Sequence, residues 1–343
     1  MKILEEFLKD MKRLSKQGRC LHFDAGERCD QIINAHSIQK SGQLKKIAED
    51  GHVIRLSGDT YTLQKTDGKL RSERIGWNDV STFTGFCKKH DNTTFEIIDN
   101  LPLHPTDEQI FLYSYRSLCR EYFVKENAVD LLLSFKKNHN KLDDSVKGFL
   151  EAAEHGHTLG FNNLKEHKKY FDKSLSNKIF SDISYVCFVS KDKWNIQLSG
   201  VVYPDFDFNG NYLQDPANHN IIPQLIAYFT APMESGWAFV FAWHASSQQV
   251  GRKLLSSLAE HYFTGNSLAD AIFRFTFSCC ENHALRPSWW DSIGKSNQSL
   301  IIARSSLMAD PAVPVPPNYL TLGLERIANC DFETVIDNSL LRK

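Results

Sequence analysis

The stretch CLHFDAGERC, which starts at Cys20 and ends at Cys29, and the stretch CKKH, which runs from Cys87 to His90, set out four residues like a zinc site. Zinc is bound by four nitrogen or sulfur ligands at tetrahedral angles, and two short loops that each donate two ligands provide such a set. The second pair has a spacing that suits a turn leading into a helix, whereas the first pair is spaced more widely than usual. The sequence therefore predicts a structural Zn²⁺ site formed by these four residues.

Two other histidines offer alternatives for this ligand set. His22 could replace Cys20 or Cys29, and His36 could replace His90. The set with three cysteines and His90 is preferred because each ligand pair then comes from a single loop.

Length and composition set broad limits. The chain has 343 residues, more than one hydrophobic core usually serves, which predicts two or three domains. Its 42% hydrophobic and 24% charged residues are ordinary for a soluble globular protein. The formal net charge of −1 excludes a global basic field for nucleic-acid binding but leaves room for local basic patches. No apolar run is long enough to span a bilayer, so no membrane partner is expected.

The cysteines and the N-terminal segment bear on location. The segment MKILEEFLKDMKRLSKQ is charged and amphipathic and has no apolar leader region, which predicts a cytoplasmic, reducing location. Cysteine pairs in that setting indicate a metal more often than a disulfide. The remaining cysteines have no ligand-like spacing and are expected to be buried thiols. They are Cys119, Cys187, Cys279, Cys280 and Cys330.

Hydrophobic periodicity predicts an α+β protein in three parts. A zinc-stabilised, treble-clef-like ββα module is expected at 1–105, a helical hairpin at 106–178, and a C-terminal α+β domain with an antiparallel sheet at 179–343. Helices are predicted over 3–16, 40–50, 91–98, 107–138, 142–175, 246–263 and 267–277, with a break near Gly156 or Gly160. A hairpin is predicted over 52–76, and strands are predicted over 183–189, 196–203, 237–243 and the stretch LIIAR (300–304).

Two residues beside the predicted zinc site, His36 and Asp91, are candidates for a catalytic site. His36 follows the short apolar run at 32–33, and a histidine there could either be a satisfied structural residue or act as a base that activates water. Asp91 directly follows His90, and a carboxylate at that place suits Mg²⁺ or Mn²⁺, which prefer oxygen ligands. Because the zinc knuckle would fix the helix beside the strand, we expect His36 and Asp91 on one metal-facing surface.

The order of these features resembles a known family. A cysteine pair, a strand ending in His36, a hairpin, Cys-x₂-His and a helix together resemble an HNH-type, ββα-metal endonuclease built on a treble-clef zinc site. The resemblance covers about residues 19–98. The string AHSIQ (35–39) also resembles the AHxI string of uncharacterised bacterial zinc-site proteins, some of them associated with mobile elements or phage defence.

The resemblance implies roles for individual residues. His36 falls on the general base, and Asp91 falls on the position after the last zinc ligand, where the family often has a metal ligand. Lys88 and Lys89 would then contact phosphate. The implied function is metal-dependent cleavage of nucleic-acid phosphodiesters, with DNA as the partner.

The chain departs from the family pattern at several points. Many members carry Asp or another polar metal ligand just before the catalytic histidine, where this chain has Ala35. Many have proline three residues after it, where this chain has Gln39. Asn34, Ser37 and Asp91 are the candidates for completing the metal shell.

A second class of function stays open at this point. The zinc unit could be a non-catalytic finger that binds DNA or protein, with a protein partner recruited through the C-terminal domain. The cluster ENHALRPSWWDSI (281–293) is expected to be a packed helix end with its tryptophans in the core. The loop DFDFNGN (205–211) resembles a calcium loop but lacks its final glutamate, so a turn is expected.

Overall fold

The computed structural model describes residues 2–27, 29–58, 66, 68–138, 144–192, 195–307 and 315–341. Over these ranges the chain is an α+β protein with antiparallel strand pairs, as predicted. The strands are β1 (Ile32–His36), β2 (His52–Ser57), β3 (Arg71–Gly76), β4 (Thr82–Cys87), β5 (Ile183–Ser190), β6 (Ile196–Val202), β7 (Ile226–Pro232), β8 (Trp237–His244), β9 (His283–Leu285) and β10 (Thr334–Asp337). The α-helices are α1 (Lys2–Ser15), α2 (Lys45–Ile47), α3 (Lys88–Asn100), α4 (Asp107–Asn138), α5 (Asp144–Ser176), α6 (Gln248–Phe263), α7 (Leu268–Cys279), α8 (Pro287–Ser292) and α9 (Gly294–Ser305).

The strands form two sheets of very different size. β1 and β4 make a two-stranded sheet that leads directly into α3. The other strands make an eight-stranded sheet in the order β10-β5-β8-β7-β6-β9-β2-β3. The predicted hairpin is the pair β2–β3, although its turn at 59–65 lies outside the described residues.

The large sheet is buried on both faces. Side chains alternate along a strand, so successive residues enter opposite layers. On β8, Phe239, Phe241 and Trp243 belong to one core cluster, and Ala238, Val240 and Ala242 belong to another. The first cluster lies against helices such as α7, and the second lies against α4. Burial on both faces explains why β8 has an almost uninterrupted apolar sequence.

Helix α4 connects the large sheet to the small one. Its residues 109–119 are all buried. On one side the ring of Tyr113 stacks on Phe229 of β7 at 4.7 Å, and on the other side Tyr115 lies 6.3 Å from Phe95 of α3. Thr106 caps the N-terminus of α4, because its hydroxyl accepts a hydrogen bond from the Gln109 amide at 3.3 Å.

Two local predictions are wrong. LIIAR lies in helix α9, because Gln298 and Ile301 are buried three residues apart, which is helical spacing, and Leu300 between them is exposed. Helix α5 has no break at Gly156 or Gly160. A glycine inside a helix costs only about 1 kcal/mol, and packing of α5 along α4 outweighs that cost.

The hairpin β2–β3 belongs to the same sheet as the strands from 183–337, through the pairing of Ile54 with Leu285. The division of the chain into three parts, with boundaries after residues 105 and 178, stays a prediction. No helix in the described ranges combines the length and apolar character that crossing a membrane requires. The proline-rich stretch at 311–317 lies mostly outside the described residues.

Candidate metal centre and adjoining cavity

The first predicted ligand, Cys20, is held against β4 by its neighbours' backbones. The amides of Arg19 and Leu21 donate to carbonyls of β4 at 3.0 and 2.9 Å. Gly85 lies at this crossing, and a Cβ there would come within 2.4 Å of the Phe83 ring. The two backbone hydrogen bonds place the Cys20 thiol beside the end of β4, and the absence of a side chain at Gly85 leaves room there for the Phe83 ring.

The other ligands occupy turns that orient them. Cys87 ends β4 and is the N-cap of α3, where its Sγ accepts a hydrogen bond from the His90 amide at 3.4 Å. His90 follows in the first turn of that helix. Cys29 ends the opposite loop, and its Sγ accepts a hydrogen bond from the Gly26 amide at 3.5 Å.

The structure brings the four predicted ligands together. The Sγ atoms of Cys20, Cys29 and Cys87 lie 3.3, 3.4 and 3.4 Å from Nδ1 of His90, and all four ligand atoms lie within 4.8 Å of one another. A tetrahedral zinc site with standard bond lengths separates sulfur from nitrogen by about 3.6 Å. The cluster, which we call the Cys₃His cluster, could therefore hold a metal ion such as zinc.

The alternative ligands do not join this cluster. The ring of His22 stacks on His90 with centroids 4.2 Å apart and an interplanar angle of 13°, and its Nδ1 accepts a hydrogen bond from the Asp24 amide at 3.1 Å. His36 lies at the far end of β1, opposite Thr82. Within the described ranges, the Cys₃His cluster is the one group of this kind with three or more members.

His36 is half-buried at the end of β1. The β1–β4 register is irregular between Ile33 and Ala35, and such bulges re-aim nearby side chains. Burial lowers the pKa of His36, the charge of Lys40 lowers it further, and a hydrogen bond to the backbone of Asn78 opposes both. The Nε2 atom is buried and has no hydrogen-bond partner within the part of the chain that the structure describes.

Asp91 lies in the first turn of α3, next to the last cluster ligand. Burial raises the pKa of Asp91, the charge of Arg116 counteracts this, and the charge of Asp99 adds to it. The Oδ1 atom of Asp91 is buried and, like Nε2 of His36, has no hydrogen-bond partner in the described ranges.

One cavity of about 220 Å³ joins these two residues. This cavity, which we call the His36 cavity, has room for about seven waters. Its lining residues are Asn34, His36, Gln39, Lys40, Ser41, Asp91, Asp99, Asn100 and Arg116. Four of them carry a buried polar atom that has no partner among the described residues: His36 Nε2, Gln39 Oε1, Asp91 Oδ1 and Arg116 Nε. Native structures leave few such atoms, so their collection around one cavity points to a ligand site.

Sequence reasoning missed the most buried charge of this cavity. Arg116 of α4 donates from both terminal nitrogens to the two carboxylate oxygens of Asp99, each at 2.7 Å. Its guanidinium lies 4.1 Å above the ring of Phe95, and its side chain is only 3% exposed. The available signal was a single arginine within the apolar stretch YSYRSLC, since an arginine in such a stretch is rarely buried without a partner.

The other residues considered in the sequence analysis lie in different places. Asn34 lines the His36 cavity, whereas Ala35 is buried in the core. The Ser37 hydroxyl lies 2.6 Å from that of Ser81 and does not line the cavity. Lys88 and Lys89 are exposed and line a separate cavity of about 280 Å³ beside the Cys₃His cluster.

Two further motifs behave as expected from sequence. Trp289 and Trp290 are buried in the core beside α7. In the loop 205–211, the carboxylate of Asp207 accepts hydrogen bonds from the backbone amides of Asn209 and Asn211 at 2.9 and 2.8 Å. That carboxylate is therefore occupied by its own turn.

The sequence and the fold were compared with known proteins. No protein family model, no curated protein and no solved structure matches this chain.

Proposed function

We propose that the chain is a metal-dependent endonuclease of the HNH type that cleaves phosphodiester bonds in nucleic acid. The observation that carries the proposal is the His36 cavity, where a histidine, a carboxylate and an arginine each keep a buried polar atom that no described residue bonds. The Cys₃His cluster at the start of the helix that bears Asp91 adds support, because it ties that helix to the strand pair β1–β4.

In this proposal the Cys₃His cluster holds Zn²⁺ with a structural role. Four protein ligands close the coordination shell and leave no open position for substrate. The ion would join the loop that ends at Cys29 to the turn between β4 and α3. Asp91 would thereby be kept close to the end of β1.

His36 is the proposed general base. Burial and Lys40 lower the pKa of His36, so its imidazole is neutral at neutral pH and can accept a proton. Nε2 has no hydrogen-bond partner among the residues described, and the backbone of Asn78 forms a hydrogen bond with the ring. Nε2 is therefore the atom that would take the proton from the attacking water.

Asp91 is the proposed ligand of a catalytic Mg²⁺ or Mn²⁺. Both ions prefer oxygen ligands, and no described residue forms a hydrogen bond with the buried Oδ1 of Asp91. Asn34 and Asn100 line the same cavity and offer amide oxygens. A bound divalent cation supplies charge stabilisation for the phosphate and the leaving oxygen.

The charges of the cavity suit an anionic substrate once a cation is bound. Asp91 and Asp99 contribute two negative charges, and Lys40 and Arg116 contribute two positive ones, so the protein groups cancel. A divalent cation would leave an excess of two positive charges, which attracts a phosphodiester. The exposed Lys88 and Lys89, beside the Cys₃His cluster, are placed to contact neighbouring phosphates of DNA.

The test combines elemental analysis with a plasmid-nicking assay in Mg²⁺ or Mn²⁺. Wild type, His36→Ala and a control, His104→Ala, are compared at equal zinc content. His104 is an exposed histidine outside the cavity. We expect one zinc per chain in all three proteins, nicking by wild type and the control, and loss of nicking in His36→Ala.

Two results would contradict the proposal. Wild type with full zinc and no nicking in either metal would favour the non-catalytic reading, in which the zinc unit binds DNA or a protein partner. Equal nicking by wild type and His36→Ala would place any activity elsewhere or in a contaminant.

A further inference from the structure

The segment that follows His36 is fixed from outside the small sheet. Residues 37–44, which we call the His36 loop, contain the π-helical turn Lys40–Leu44. Such turns are rare in proteins as a whole, but where they occur they are often found at functional sites. The loop contributes Gln39, Lys40 and Ser41 to the His36 cavity. Its position therefore decides the shape of that cavity.

The first anchor is Asn282, which lies just before β9. Its Nδ2 donates to the Ser37 hydroxyl at 2.9 Å, and also to the hydroxyl and the carbonyl of Ser199 on β6 at 2.8 and 3.1 Å. All three residues are buried. One amide group thus joins the residue after His36 to the large sheet.

Ser81 completes this anchor with a strained backbone. It has φ of +59°, which is uncommon for a residue with a side chain. Its carbonyl accepts a hydrogen bond from the Ser37 amide at 3.0 Å, and its hydroxyl accepts one from the Ile38 amide at 3.1 Å. Ser81 directly precedes Thr82, the strand partner of His36.

The second anchor is Gln43, which is 1% exposed. Its Oε1 accepts a hydrogen bond from the Gln39 amide at 2.8 Å. Its Nε2 donates to the Gln197 side chain of β6 at 3.2 Å and to the carbonyl of Thr230 on β7. The Thr230 hydroxyl in turn donates to the Gln197 side chain at 2.9 Å. A side chain of the loop is therefore bonded to two neighbouring strands of the large sheet.

We propose that Asn282 and Gln197 are positioning residues for His36, so that the large sheet sets the geometry of the candidate base. The inference rests on the function proposed for the His36 cavity. Neither residue lines that cavity, so each acts through the His36 loop. This gives the C-terminal part of the chain a role in the reaction without a catalytic group of its own.

The hydrogen-bond network of Asn282 and Gln43 gives the His36 loop a support that the loop's own structure does not provide. Among the described residues, the pairing of β1 with β4 ends at His36 and Thr82, and the turn within the His36 loop is of a rare helical type. Catalytic groups keep their geometry only when their support is locked by packing and hydrogen bonds. A displacement of about 1 Å far from the reacting atoms can lower a rate by about 100-fold.

The test uses the full-length, zinc-loaded protein and the variants Asn282→Ala and Gln197→Met. The control is Thr276→Val, which removes one buried hydrogen bond inside α7, away from the loop. Three quantities are measured: hydrogen exchange of the amides at 37–44, zinc content, and the pH profile of DNA cleavage with its kcat and KM.

We expect faster exchange confined to 37–44, unchanged zinc content, and a kcat lower by about 100-fold with KM within about threefold. The acid limb of the pH profile should move to higher pH, since a displaced and better hydrated His36 loses part of the burial that lowers its pKa. If Asn282→Ala does not fold, Gln197→Met gives the same comparison.

Two results would overturn the inference. One is exchange at 37–44 that stays at the wild-type rate in a folded variant. The other is a loss of kcat that Thr276→Val reproduces. Faster exchange confined to 37–44 in a protein that never cleaves DNA would support the positioning of the loop, and in that case only the proposed function would fail.

Discussion

The Cys₃His cluster and the His36 cavity are built on the same short elements but treat polar atoms in opposite ways. In the cluster, the four ligand atoms converge on one another to within 4.8 Å. In the cavity, atoms of His36, Asp91 and Arg116 are buried and have no hydrogen-bond partner among the described residues. The difference teaches that the cluster atoms are spaced so that they could share a single ion, whereas the cavity atoms border a space of about 220 Å³, for which we propose a larger polar ligand.

The largest expected effect is on stability, and it follows from removing one residue of the Cys₃His cluster. Cys87→Ser should release zinc and lower the free energy of unfolding by about 4 kcal/mol or more, because loss of a structural metal is among the most severe single changes. Thermal unfolding and elemental analysis measure both. Cys330→Ser is the control, since Cys330 lies outside the cluster, and we expect a change of about 1 kcal/mol or less. Retention of zinc by Cys87→Ser would show that the cluster is not the metal site.

An intermediate effect should break the cavity and spare the cluster. Arg116→Met removes the partner of Asp99 and should cost about 2 kcal/mol of stability, a figure reduced from that of a fully buried pair because Asp99 is 33% exposed. We expect zinc content to stay at the wild-type level while nicking is lost. Arg13→Met removes an exposed arginine and should change neither. Loss of zinc in Arg116→Met would show that cluster and cavity are not separable.

The smallest expected effect concerns pH. Protonated His36 cannot act as a base, so cleavage should fall as pH drops through the pKa of His36 in the folded protein. Burial and Lys40 hold that pKa below its usual value of 6.5, and Lys40→Met should therefore move the acid limb to higher pH. The pH dependence of kcat/KM measures the shift. The control is Lys45→Met, on the next helical turn and outside the cavity, which should leave the acid limb in place. If Lys40→Met does not move the acid limb, Lys40 does not lower the pKa of His36.

The sequence predicted those parts of the site that depend on local spacing. Two residue pairs, each within one loop, were enough to predict that Cys20, Cys29, Cys87 and His90 lie together in a cluster that could hold a metal, because metal geometry restricts how such residues are spaced. It also predicted the antiparallel sheet and helix α4, whose patterns extend over many residues. His36 and Asp91 were identified as candidates, and the structure places both on one cavity. Their catalytic roles stay predictions.

The parts that sequence reasoning missed depend on contacts between distant segments. Asp99 and Arg116 pair across two helices, and Asn282 reaches Ser37 over most of the chain, so no local pattern reveals them. The fully buried strand β7 was not recognised for a related reason. Both of its faces are covered, and the alternation that marks a half-exposed strand is absent.

The pairing of the hairpin β2–β3 with β9 has a consequence for how the chain folds during synthesis. The strand partner of Ile54 is Leu285, so the outer edge of β2 stays open until residue 285 has left the ribosome. The two ligand pairs, which this hairpin separates, must also find each other over a long loop, and such distant contacts form slowly. We therefore expect the N-terminal region to depend on early zinc binding or on a chaperone until the strand that completes its sheet has been made.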